Sequence, residues 1–213
     1  MERNLVEPAV FAGAAMPQAG YLGGRADYLQ SVCAQGMYQW THNRLPIKVF
    51  IGPGSAVSGY RPQFDSMISN AFDTWCAASG NTLSWQQVDN AAHADVVISW
   101  TNHPTQRVNG TEAGETNAYA KLDHASGRGV IYGAKMSILT ELNGQPFSDQ
   151  FMEKTILHET GHALGLQGHS PVRTDIMYYS INNDQEAQLT ERDRTTMARL
   201  YADYQQSSDV AVN

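Results

Sequence analysis

His158 and His162 stand four residues apart in the run His158-Glu159-Thr160-Gly161-His162. That spacing stacks two side chains on one face of a helix. Two imidazoles so placed can ligate one metal ion without bending the backbone. Glu159 follows His158 directly and falls on the flank of that face, where its carboxylate can reach a metal-held water without being a ligand. Gly165 stops the helix, because glycine accepts the left-handed conformation that a helix C-terminus needs. The chain can then turn back and present His169 as a third nitrogen. Three neutral imidazoles with a fourth position left to water describe a catalytic zinc site rather than a closed structural one. A bare His-Glu-x-x-His is a weak signal. The stopping glycine and the later histidine strengthen it.

A helix must carry this pair. Ser148 is its expected N-cap, with Asp149 at the positive helix end, and Phe151, Met152, Thr155, Ile156 and Leu157 lead into the ligands. Upstream, residues 45–51 alternate apolar and polar, the pattern of a half-buried strand. Pro62 fits the first turn of a helix over 61–78, whose Phe64, Ile68, Ala71, Phe72 and Trp75 recur at helical spacing. Strands are expected over 82–88, 94–100, 117–122 and 130–139, with a loop over 101–116. Thr190 caps a last helix, with Asp193 at the capping-box position and Met197, Leu200 and Tyr201 as its apolar stripe. Residues 1–44 are expected to form a loose arm ending in a short helix near Tyr28–Val32. Residues 205–213 look like a frayed tail.

The run from His158 to His169 resembles the metzincin signature, His-Glu-x-x-His-x-x-Gly-x-x-His with a later Met-turn. The surrounding text, "HETGHALGL" and "DIMYY", is most similar to the matrixins, the matrix-metalloprotease-like branch and its bacterial relatives. The β-α-β-β order upstream is also similar to the N-terminal half of matrixin catalytic domains. In one place the chain departs from the pattern. Gly168 is inserted before the last histidine, and a flexible glycine is the residue best able to absorb an extra position, so His169 is kept as third ligand.

The resemblance implies an α+β, metzincin-like catalytic domain over residues 45–204. Its sheet would be twisted and mostly parallel, of about five strands with an antiparallel edge strand, joined by three main helices. It implies a zinc endopeptidase acting on extended protein or peptide substrates, with one catalytic zinc ion and Glu159 as general base. Met177 would form the hydrophobic floor beneath the metal. Asn117, Ala118, Tyr119 and Ala120 would be the sheet edge to which a substrate adds as a further strand. Matrixins usually carry proline two residues after the methionine, whereas this chain has Tyr179. That tyrosine resembles the one in the astacin and serralysin branches that stabilises the transition state; the alternative role is a wall of the specificity pocket, shared with Tyr178. The Gly-Gly-Asp-x-His-Phe-Asp type segment that holds extra metals is absent, so calcium has no motif behind it and His93, His103 and His124 are read as surface residues. The Pro-Arg-Cys-Gly motif of matrixin pro-segments is absent too, which leaves the 1–44 arm without an inhibitory signature.

The chain has 213 residues, enough for one ordinary domain plus a tail, and a formal net charge of −7. That mild, unclustered charge argues against nucleic acid and anionic membrane as partners. No apolar run approaches membrane-spanning length, and a monomer is expected. Cys33 and Cys76 could form one disulfide or remain two thiols. The first residues do not read as a signal peptide, while the resemblance points outside the cell. Two alternatives stand beside the peptidase. One is a catalytically silent zinc-binding homologue, which the presence of Glu159 disfavours. The other is a different zinc hydrolase drawing its third ligand from Glu186 or Glu191.

Overall fold

The structure, a computed structural model, describes residues 26–107, 110–123, 125–180 and 186–202, with backbone alone over 105–107 and 110–112. Residues 1–25 of the arm, His124 and the tail lie outside the described residues. In chain order the elements are α1 (Leu29–Val32), β1 (Met37–Trp40), β2 (Ile47–Ile51), α2 (Gln63–Ala78), β3 (Trp85–Gln87), β4 (Val96–Thr101), β5 (Thr105–Arg107), β6 (Gly110–Glu112), β7 (Gly114–Asp123), β8 (Arg128–Leu139), α3 (Asp149–Ala163) and α4 (Glu191–Ala202).

Alternation sets the sheet. Ile47 and Val49 point into the core while Lys48 between them is exposed, and Val96, Ile98 and Trp100 bury the same face of β4. The six-stranded sheet runs β3-β2-β4-β8-β7, and β1 lies beside the first part of β8 on the edge that β4 takes further along. All pairings are parallel except β7 with β8, so the antiparallel strand is at the edge. The register of β7 on β8 shifts between Tyr119, opposite Gly133, and Ala120, opposite Ile131. Tyr132 is bulged out, which is why Ile131 and Ala134 both face inward although three residues apart.

Helix α2 buries Phe64, Ile68, Phe72 and Trp75. Phe64 meets Trp100 of β4 and Phe72 meets Trp85 of β3, while the Trp75 indole N–H donates to the Leu157 carbonyl of α3, which packs beside α2, β7 and β8. Helix α4 packs against α2, α1 and β1. The expected α+β architecture, with its parallel sheet, antiparallel edge and three main helices, is the one found. The structure differs from the sequence reading in three places. The strand expected over 82–88 shortens to Trp85–Gln87, and the 101–116 loop contains the β5–β6 hairpin and the start of β7. Residues 82–88 do alternate, but only Trp85–Gln87 pair with Ile47–Val49 of β2; the 101–116 segment lacks the apolar alternation that marks a half-buried strand.

Strand β1 escapes the pattern for a different reason: both of its faces are covered. Tyr38, Gln39 and Trp40 are all buried, and Gln39 donates its amide to the Leu200 carbonyl of α4. Trp40 is fully buried; its indole N–H donates to the Ala163 carbonyl (2.9 Å), and its backbone N–H to the Tyr201 hydroxyl (3.2 Å). This residue joins the sheet, the end of α3 and α4. Replacing Trp40 with Ala is expected to lower unfolding free energy in urea by about 3–5 kcal/mol. A loss within the ordinary range of surface substitutions would show that β1 is not part of the cooperative unit.

Candidate metal centre

Helix α3 starts where its cap residue dictates: the Ser148 hydroxyl accepts the Phe151 N–H at 3.2 Å. It ends in a Schellman turn. The Gly165 N–H donates to the His162 carbonyl and the Leu166 N–H to the Gly161 carbonyl, both at 3.0 Å. Gly165 has φ +111°, and a Cβ there would also overlap the Tyr38 carbonyl oxygen of β1. Glycine is required twice over at this position. The turn sends the Leu166 carbonyl back to the Nδ1 of His162 at 2.6 Å.

That contact fixes a tautomer. A carbonyl only accepts, so the proton of His162 sits on Nδ1 and Nε2 carries a bare lone pair. The same holds for His158, whose Nδ1 donates to the Ile176 carbonyl at 2.7 Å. The two bare Nε2 atoms then face each other at 3.1 Å. Two lone pairs at that distance repel unless a cation lies between them. His169 completes the group: ligand atoms of the three histidines all lie within 4.8 Å of one another. Its ring stacks on His158 at 5.3 Å between centroids and meets His162 edge-on at 5.1 Å.

Burial holds all three imidazoles below their usual range. His162 is pushed down further by its two neighbours, and burial followed by His158 takes His169 down to about 3. Neutral imidazoles with one nitrogen tied to a carbonyl are the donors that zinc takes, and the carbonyls are the partners that usually orient such ligands. The donor set fits zinc. Among the described residues, Glu186, Glu191 and Cys33 are not in the convergent group. Burial pushes the Cys33 thiol up to about 11, and Cys33 and Cys76 are both free.

Glu159 is buried under β7. The Thr116 hydroxyl donates to its Oε2 at 2.6 Å, and its side chain crosses the bare Cα of Gly114. Met177 is fully buried, with its sulfur against Gly161, where an added Cβ would come within 2.5 Å. The methionine therefore lies against the helix between the two ligand positions. Tyr179 is 54% exposed, its ring 4.4 Å from that of Tyr178. Asn117, Ala118, Tyr119 and Ala120 lie in β7, opposite Lys135, Ala134, Gly133 and Ile131 of β8. The other edge of β7 takes no strand among the described residues.

Sequence reasoning did not find the residues that hold the turn after the third histidine. Asp193 is fully buried, and its Oδ2 accepts the N–H groups of Thr190 (2.8 Å) and Ile176 (3.0 Å) while Oδ1 accepts the Tyr28 hydroxyl. Burial holds this carboxyl above its usual range, with the hydrogen bonds from Tyr28, Ile176 and Thr190 opposing the shift in part. Ile176 is thus gripped on both sides, by Asp193 at its N–H and by His158 at its carbonyl. Asp175, also buried, accepts from Ser170 and from the Arg192 guanidinium at 3.0 Å. The capping box at Thr190 placed Asp193 at a helix start, but no local pattern announces its second, long-range partner.

The matrixin family model matches residues 39–202 of the chain. No curated protein matches it.

Removing the Asp193 carboxylate strands several buried donors and loosens the carbonyl that orients His158. Asp193→Ala leaves neutral buried donors unpaired, at about 1–3 kcal/mol for each group, and is expected to lower the unfolding free energy by about 3 kcal/mol or more. Zinc affinity, measured by competition with a chromophoric chelator, is expected to fall about 10- to 100-fold, as for other groups that orient metal-bound histidine. Unchanged affinity in the folded variant would disconnect Asp193 from the histidines.

Proposed function

This chain belongs to the matrixin family of zinc-dependent metalloproteases, and from that premise we propose that it is itself a zinc endopeptidase acting on extended protein or peptide substrates. The observation that carries this reading is the facing pair of bare Nε2 atoms on His158 and His162, 3.1 Å apart, with the buried Glu159 carboxylate one residue along the same helix. In this reading His158, His162 and His169 hold the ion. When bound, zinc supplies Lewis acidity, which makes a water acidic enough to attack near neutral pH and polarises the scissile carbonyl.

The remaining steps belong to side chains and backbone. Glu159 takes the proton from the attacking water and delivers it to the leaving nitrogen. Asn117, Ala118, Tyr119 and Ala120 offer the open edge of β7, so a substrate binds as one more strand through main-chain hydrogen bonds. Such a grip makes little demand on substrate sequence. Met177 serves as the Met-turn floor, since a thioether is a poor zinc ligand beside imidazole. Tyr179 donates a hydrogen bond to the developing oxyanion, and its exposure leaves the ring free to reach a substrate carbonyl. The catalytic unit then runs from β1 to α4, adding Met37–Trp40 to the domain expected from residue 45 onward.

Cleavage of casein by wild type and by Glu159→Ala, with zinc content measured on both, tests the reading. Wild type is expected to cut, while the variant keeps its zinc and loses at least about a hundredfold in turnover. Zinc in both with cleavage by neither would favour the silent zinc-binding homologue. Tyr179→Phe is expected to lose about tenfold or more in kcat; full turnover would return Tyr179 to the pocket wall.

A further inference from the structure

The edge strand and the base touch each other. Gly114 and Thr116 are two apart on β7, so they face the same side, and that side is the one packed on α3. The Thr116 hydroxyl donates to Glu159 Oε2 at 2.6 Å, in the range of a charge-assisted O–H···O⁻ bond. The same hydroxyl lies 3.2 Å from the Glu159 carbonyl, but it has one proton, and the carboxylate is the nearer, charged acceptor. Opposite it, a Cβ on Gly114 would come within 2.5 Å of Cγ, 2.8 Å of Oε1 and 2.9 Å of the carboxyl carbon of Glu159. Gly114 has no left-handed backbone to explain it. Its bare Cα is the space the carboxylate occupies.

We propose that Thr116, with Gly114, is a positioning residue: it fixes the Glu159 carboxylate to the strand that aligns the substrate. The inference rests on Glu159 being the base. A glutamate side chain has three rotatable bonds, and a proton-transfer group must sit within hydrogen-bond reach of its proton. Helix α3 fixes only the Cα of Glu159. The hydroxyl on one side and the missing side chain on the other fix its far end. Thr116 immediately precedes Asn117, the first residue of the substrate-binding edge. Substrate register and base position are therefore set by the same stretch of β7.

Thr116→Val keeps the shape and removes the donor; Thr116→Ser keeps the donor and removes the methyl. With zinc retained, Thr116→Val is expected to lower kcat about tenfold to a hundredfold with KM unchanged, the size of loss that a misplacement near 1 Å produces. Gly114→Ala is expected to show the same split, and Thr116→Ser to recover turnover to within about threefold of wild type, since the hydroxyl donor is the part that matters. Crystal structures of wild type and Thr116→Val give a readout independent of turnover: Glu159 Oε2 bonded to residue 116 in the first and rotated away in the second. A carboxylate that stays in place in the valine variant overturns the inference, as does a serine variant as slow as valine. If wild type cuts nothing while the carboxylate still moves on Thr116→Val, the positioning stands and the peptidase reading fails. If Glu159→Gln retains turnover, the base assignment fails, and Thr116 with it.

Discussion

Two imidazole nitrogens with bare lone pairs, held 3.1 Å apart, are the constraint around which this domain is built. Left alone, the rings would turn away from each other. They do not turn because each is tied at its other nitrogen to a backbone carbonyl, Ile176 for His158 and Leu166 for His162. Each carbonyl is held by structure of its own. Leu166 is placed by the Schellman turn at Gly165, and Ile176 by the buried carboxylate of Asp193. The repulsion between the lone pairs is thus opposed by hydrogen bonds, by helix geometry and by the core. A cation between the rings converts the unfavourable contact into the favourable one.

Close packing around α3 depends on backbone left bare. Gly161 admits the Met177 side chain, Gly165 admits the β1 backbone, and Gly114 of the neighbouring strand admits Glu159. Gly168, the residue by which this chain departs from the metzincin spacing, lies against α1: a Cβ there would come within 2.8 Å of the Ser31 carbonyl oxygen. The extra residue is accommodated where the N-terminal segment crosses the loop, and the His169 ligand atom still reaches the other two. Segment 27–33 is tied down at the same end of the molecule, through Tyr28 to Asp193 and Thr196 and through Asp27 to Arg199. Its contacts are with the elements that hold the three histidines in place.

Much of this was legible in the residues. Periodicity located α2 and α4, because each buries one apolar stripe, and alternation located β2; α3 was located by its Ser148 cap and the His158–His162 spacing, since its second half is buried nearly all round. Ser148, Thr190 and Gly165 marked helix ends because capping is a local event, settled within a few residues. What was not legible has a common cause. Strand β1 is buried on both faces, so its polar Gln39 broke the alternation while bonding to Leu200 far along the chain. Asp193 could be read as half of a capping box, but its bond to Ile176 and its contact with Tyr28 span 17 and 165 residues. Gly114 and Thr116 looked like loop because a strand start that packs on a glutamate needs a gap and a hydroxyl, not an apolar side chain. Local rules see local partners.

The most direct test of this account is zinc K-edge X-ray absorption on the zinc-loaded protein. The expected spectrum has imidazole scattering from His158, His162 and His169, with one further oxygen ligand from solvent, and the imidazole contribution drops by one ring in His169→Ala. A spectrum fitted by two imidazoles and a carboxylate, or one unchanged in His169→Ala, would contradict the three-histidine centre and the catalytic reading built on it.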